Sequence, residues 1–150
     1  MAEPSTDPTF ASLRSVIDRA DPIPPTVVDA ARAAYTWRTI DAELAELTTD
    51  SATAVAGVRS SSGPRLLTFE GAGVEVEVDV AQTGSTRRLS GQLVPVGPAQ
   101  VTVRWSSGSR EATADDLGRF AVENVPAGSV SLLVLRTGAE HPIVTSWISI

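Results

Sequence analysis

Between residues 26 and 50 apolar side chains recur every three or four positions, and from about residue 53 onward they alternate with polar ones. In "TVVDAARAAYTWRTIDAELAELTTDS" Ala30, Ala33, Trp37, Ile40, Leu44 and Leu47 share one stripe led by Val27, while Asp29, Arg32, Thr36, Glu43 and Glu46 lie largely elsewhere. The stretch contains no glycine or proline, and Thr26 stands where an N-cap belongs. The pattern predicts one amphipathic helix over 26–50, about six turns long at roughly 3.6 residues per turn. Two roles fit its stripe: cladding one face of a following sheet, or docking on another protein. Ahead of it, residues 1–25 carry five prolines around "FASLRSVIDRA", where Phe10, Leu13, Val16 and Ile17 keep helical spacing. That composition predicts a Pro-rich arm with a short helix in it.

Downstream the period is two. "VEVEVDV" sets Val74, Val76, Val78 and Val80 on one face and Glu75, Glu77 and Asp79 on the other, as in a strand with one buried and one wet face. "QVTVRW" sets Val101, Val103 and Trp105 against Thr102 and Arg104, which places Trp105 in the core. Runs bounded by turn clusters predict strands at roughly 53–59, 65–70, 74–82, 87–96, 99–106, 119–125, 129–137 and 142–150. Seven or eight short strands without helices between them predict an antiparallel β-sandwich over 51–150, and with the helix the fold class is α+β. On the last strand Trp147 falls opposite Val144, Ile148 and Ile150, either under the helix or partly exposed.

The stretch "TADDLGRFAVENVPAGSVSLLVL", residues 113–135, joins acids, glycines and apolar residues in a way that a site or a strand pair could use. Each residue has a backbone or packing reason. Asp115 and Asp116 suit a tight turn, and Gly118 supplies a positive φ that other residues resist. Phe120 and Val122 alternate inward, Pro126 fixes φ in the next turn, and Gly128 relaxes it. The returning strand carries apolar residues on both faces, as a central strand does.

Preceded by "LSGQLVP" and "AQVTVRW", this stretch resembles the carboxypeptidase-regulatory-like and transthyretin-like β-sandwich modules over roughly residues 87 to 137. The matching elements are Gly91-Gln92-Leu93, Thr113 through Phe120, and Val125 through Gly128. The resemblance bears on fold, because such modules are attached to many proteins. Over nearly its full length, through "AARAAYTWRTIDAELAELTTDSA", "PRLLTFEG", "LSGQLVP" and "TSWISI", the chain also resembles a small actinobacterial family. That second resemblance implies association with genes for extracytoplasmic-function sigma factors, sometimes with caspase-like CHAT proteins, and hence a regulatory setting.

Composition narrows the chemistry. A chain of 150 residues with 42% apolar content builds one core. Its 18 acids face 12 arginines and no lysine, net −6, which disfavours a phosphate-backbone ligand. The acid excess is concentrated in residues 1–50, with 9 acids against 4 arginines, while residues 51–150 hold 9 against 8. Without cysteine there is no disulfide, thiolate metal site or thiol nucleophile. The opening "MAEPSTDPTF" does not read as a signal peptide, and the expected localisation is cytoplasmic.

Catalytic and metal motifs find little support. His141, the one histidine, precedes Pro142 without a "G-x-S-x-G" elbow elsewhere, and reads as a loop residue. Asp115, Asp116 and Glu123 do not follow a calcium-loop spacing, and Glu75, Glu77 and Asp79 read as a wet face rather than a glycosidase pair. The lysine of self-crosslinking adhesin modules is absent, and "TSWISI" replaces the "Y-R-G-S" ending of transthyretin-like hydrolases. No phosphate-binding glycine loop is present. The expectation is a non-catalytic, cytoplasmic protein-interaction or regulatory module without cofactor or metal, not binding nucleic acid or membrane directly. By resemblance its partner is a sigma factor or an associated signalling protein. The candidate contact residues are Trp37, Ile40, Glu43, Leu44, Glu46, Leu47 and Trp147. The alternative is an extracytoplasmic carbohydrate- or surface-binding sandwich.

Overall fold

The computed structural model of the protein describes residues 19–36, 41–54 and 64–150, with Ser12 and Val16. Ser12, Val16, Arg19 and Ala20 are helical, within the segment where helical spacing was noted; Phe10, Leu13 and Ile17 lie outside the described residues. Helix α1 (Pro25–Thr36) opens on a proline whose fixed φ suits a first turn. The Pro24 carbonyl accepts the Val27 amide at 2.9 Å, so Thr26 lies inside the helix and is not its cap.

Of the helix expected to run to residue 50, Pro25–Thr36 is helical, whereas its last eight residues are instead strand β1 (Glu43–Asp50). Ala and Leu prefer a helix by less than about 0.7 kcal/mol per residue, a margin that pairing on both sides of β1 overrides. Ala45 is fully buried and Leu47 packs on the core, while Leu44 and Glu46 face out, so the strand period replaces the helical one. The sheet body thus begins at Glu43, ahead of the expected boundary at residue 51. Helix α2 (Ser51–Ala54) follows, with Asp50 Oδ1 accepting the Ala52 amide at 2.9 Å. Of the strand expected at 53–59, Thr53 and Ala54 are helical and the rest lies outside the described residues.

The remaining strands are β2 (Arg65–Gly71), β3 (Val74–Thr83), β4 (Thr86–Val94), β5 (Ala99–Trp105), β6 (Gly108–Ala114), β7 (Arg119–Pro126), β8 (Ser129–Arg136), β9 (Ile143–Thr145) and β10 (Ile148–Ser149). With β1 they form one ten-stranded sheet, nine strands in the order β6-β5-β8-β9-β1-β2-β3-β4-β7 and β10 off that path, paired with β8. Neighbours are antiparallel except β1 and β9, which run parallel. The path is nearly closed, because its end strands β6 and β7 follow each other in the chain through the turn at 115–118. Strand β6 was not expected: "GSREATA" is poor in β-formers and takes its conformation from the hairpin with β5.

Core residues come from the inward positions of this path. Val74, Val76, Val78 and Val80 are buried, as are Val101, Val103, Phe120 and Val122, all on the faces their alternation assigned. Trp105 is half-buried and packs against the core from its margin. The Phe120 ring lies across Gly91 on the neighbouring strand, where a Cβ would collide with it and would stand 2.6 Å from the Glu77 carbonyl. At Gly71 a Cβ would stand 2.6 Å from Ala45 Cα, so glycine allows β1 to cross from β9 onto β2 at close range. The residues of the 113–135 stretch serve this backbone. Asp115 Oδ1 accepts the Leu117 and Arg119 amides at 2.9 Å each, and Gly118 takes φ +74°.

The last strand, expected to be continuous over 142–150, is broken at Ser146–Trp147. Both pieces pair with β8, β9 through Val144 and Ile143 and β10 through Ile148 and Ser149. Between them the side chain of Thr145 substitutes for the ladder, accepting the Leu132 amide at 2.9 Å, while Ser131 Oγ donates to the Thr145 carbonyl at 3.0 Å. Arg104 Nη2 donates to Ser131 Oγ at 3.3 Å, and burial lowers the pKa of this guanidinium. Where β1 leaves β9 for β2, Arg65 ties the parts together. It grips Asp50 by Nε at 2.8 Å and Nη2 at 2.6 Å, and its Nη1 donates to the Ser149 carbonyl at 2.7 Å.

Candidate protein-binding face

The structure separates the residues that helical spacing had grouped. Glu43, Leu44 and Glu46 are exposed on β1, Leu44 by 54%, so they remain on the surface. Leu47 turns inward onto the core, and its expected contact role passes to a packing one. Trp147 is half-buried at the break between β9 and β10, just past the parallel pairing in which Leu44 is in register with Val144, and the neighbouring Ser146 amide donates to the Ala45 carbonyl at 2.9 Å. Trp37 and Ile40 lie outside the described residues.

What β1 gains by becoming a strand is a set of neighbours. Glu46 is in register with Glu70 on β2, Glu70 with Glu75 on β3, and Glu75 with Val94 on β4. Directly opposed residues share a face, and adjacent strands stand about 4.8 Å apart, so three carboxylates form a row across the outside of the sheet. The adjacent positions extend it: Glu77 is opposite Thr68 and Gln92, and Asp79 is opposite Leu66 and Ser90. Like charges directly opposed on a sheet are mutually destabilising. Thr48 Oγ1 donates to Glu70 Oε1 at 3.0 Å, which steadies one carboxylate without neutralising it.

The row borders a shallow concavity that mixes apolar residues with two of its carboxylates. A groove of about 570 Å³ is lined by Gly71, Gly73, Val74, Val94 and Pro95 together with Glu70 and Glu75. Val94 is 43% exposed, and Leu44 lies by Gly71 through the close approach of β1. Arg119, opposite Gln92, is engaged elsewhere: its Nε donates to Asp115 Oδ2 at 3.1 Å. Hydrogen bonds from the Arg119 and Leu117 amides and from the Arg119 side chain hold the Asp115 carboxyl below its usual range, despite a smaller opposing effect of burial.

Glu75, Glu77 and Asp79 read from the sequence as a wet face, but the register that joins them to Glu46 through Glu70 is not contained in any one segment. Among the described residues no group of three His, Asp or Glu side chains is placed to hold a metal ion. None of the described helices is long and apolar enough to cross a membrane.

Fold and face together define a β-rich protein with an acidic, partly apolar outer surface on β1 to β4. No family model, no curated protein and no solved structure matches the chain.

Proposed function

We propose that the protein is a non-catalytic interaction module that holds a basic protein partner on this face, with a sigma factor as the first partner to test. The observation that carries the reading is the register of Glu46, Glu70 and Glu75 beside the groove at Val94. Carboxylates steer and orient a basic surface, and exposed Leu44 and Val94 supply desolvating anchors. A row of opposed acids lowers stability in the free protein and becomes favourable once cations cover it. The same proposal takes the sheet as a β-sandwich of the carboxypeptidase-regulatory-like type. The Asp115–Gly118 turn and the Pro126–Gly128 turn support it, being used in the backbone as the resemblance implies. An intracellular setting belongs to it as well.

The test is a binding titration with a purified extracytoplasmic-function sigma factor from the host. Glu70→Arg with Glu75→Arg should weaken binding by about tenfold or more, chiefly by slowing association, and should flatten its salt dependence. Val94→Ser should raise the dissociation rate. Affinity unchanged by the double reversal would sink the reading. Retention of envelope polysaccharide alone would replace it with the carbohydrate-binding alternative.

A further inference from the structure

The acidic face does not account for a second concavity, at the end of the sheet that carries the β5–β6 and β7–β8 turns. There α1 borders a cavity of about 320 Å³, at the lower end of the range of small-molecule sites, roughly 300–1,000 Å³. We propose that this cavity is a binding site for a neutral, polyhydroxylated ring compound of monosaccharide size.

Trp105 forms one wall. Its indole lies across Gly108, where a Cβ would stand 3.3 Å from both Cζ2 and Nε1, so glycine lets the ring settle against the hairpin. The opposite wall is α1, which contributes Thr26 and Asp29. Four serines, Ser106, Ser107, Ser129 and Ser149, also line it. The floor is braced, because Gly128 and Ile150 exchange two main-chain hydrogen bonds of 3.0 Å each. A site held open by its backbone loses less on ordering when a ligand enters.

The lining selects the ligand class. Asp29 is the one charged residue among the described residues lining the cavity. Its carboxylate lies 4.0 Å from Arg32 Nη1, so the pair has no net charge and favours neither an anion nor a free cation. The hydroxyls both donate and accept, and Asp29 accepts. A sugar ring satisfies all of these at once, with its C–H face on the indole and its O–H groups on the serines and Asp29. The turns that build the cavity are far in register from Glu46, Glu70 and Glu75, so this site stands or falls independently of the protein-binding reading.

The experiment is a two-dimensional amide and indole NMR titration of the whole chain with glucose, galactose, N-acetylglucosamine, maltose and cellobiose, and with choline as a cationic control. Expected is saturable movement of the Trp105 indole, Gly108 and Ser129 signals by at least one sugar, with a dissociation constant of about 10 mM or tighter. Trp105→Ala should abolish that response, and Asp29→Asn should weaken it at least about threefold, the worth of one hydrogen bond, with the melting curve unchanged. Should Trp105→Ala fail to fold, Asp29→Asn decides alone, and unchanged affinity overturns the proposal. It is equally overturned if no sugar saturates by about 50 mM, or if choline saturates and the sugars do not.

Discussion

Glu46 and Asp50 stand four residues apart on one strand in opposite electrostatic company. The Asp50 side chain is 8% exposed and gripped at both oxygens by Arg65, whose third donor reaches the Ser149 carbonyl. The Arg65 hydrogen bond holds the Asp50 carboxyl below its usual range against an opposing effect of burial, and the same contact raises the pKa of Arg65. Glu46 is exposed and meets another glutamate across the strand, which meets a third. A carboxylate paired with a fork-shaped guanidinium secures a fold, whereas carboxylates opposed to one another weaken it and act only outward.

The division between inward and outward positions can be broken first at the core, where the largest effect is expected. Phe120→Ala should cost about 3–5 kcal/mol in denaturant melts, because the ring is buried and lies over Gly91. A loss below about 1 kcal/mol would contradict that packing. Gly118→Val should cost about 1–3 kcal/mol, since φ is +74° and a Cβ would stand 2.8 Å from the Leu93 carbonyl oxygen.

Next comes the clamp. Arg65→Ala removes a bidentate partner from a mostly covered carboxylate and should cost about 1–3 kcal/mol, discounted toward the low end because Arg65 keeps 29% of its own exposure. An unchanged urea midpoint would show that the join between β1, β2 and β10 does not depend on it.

Acid should act on the same groups. Folded-state pKa values of Asp50 and Asp115 are depressed, so their contribution is fully present above the unfolded value of about 3.9 and is lost as pH falls through the lower folded values. Urea midpoints measured from pH 7 to about pH 2.5 should fall chiefly below about pH 4. Asp50→Asn should make that decline shallower while lowering stability at neutral pH.

The smallest effect has the opposite sign. Glu70→Gln relieves opposed charges and should raise stability by a few tenths of a kcal/mol, more at low salt than at high. Melts in which Asp50→Asn and Glu70→Gln move the same way would remove the contrast between paired and opposed carboxylates.

Where a segment's own residues settled its conformation, the sequence was enough. The alternation in β3 placed four valines inward and three acids outward, and Gly118 beside Asp115 announced a turn that needs a positive φ. These are local matters of period and backbone sterics. Residues 43–50 carry Ala and Leu at spacings compatible with either period, and partners distant in sequence, β2 and β9, decided for a strand. Strand β6 and the break at Ser146–Trp147 depended likewise on β5 and β8. Both candidate sites belong to this second kind. The acid row exists through the register of β1, β2 and β3, and the Trp105 cavity through the meeting of α1 with two turns. Periodicity reports which face a residue takes, whereas long-range pairing decides which residues become neighbours on that face.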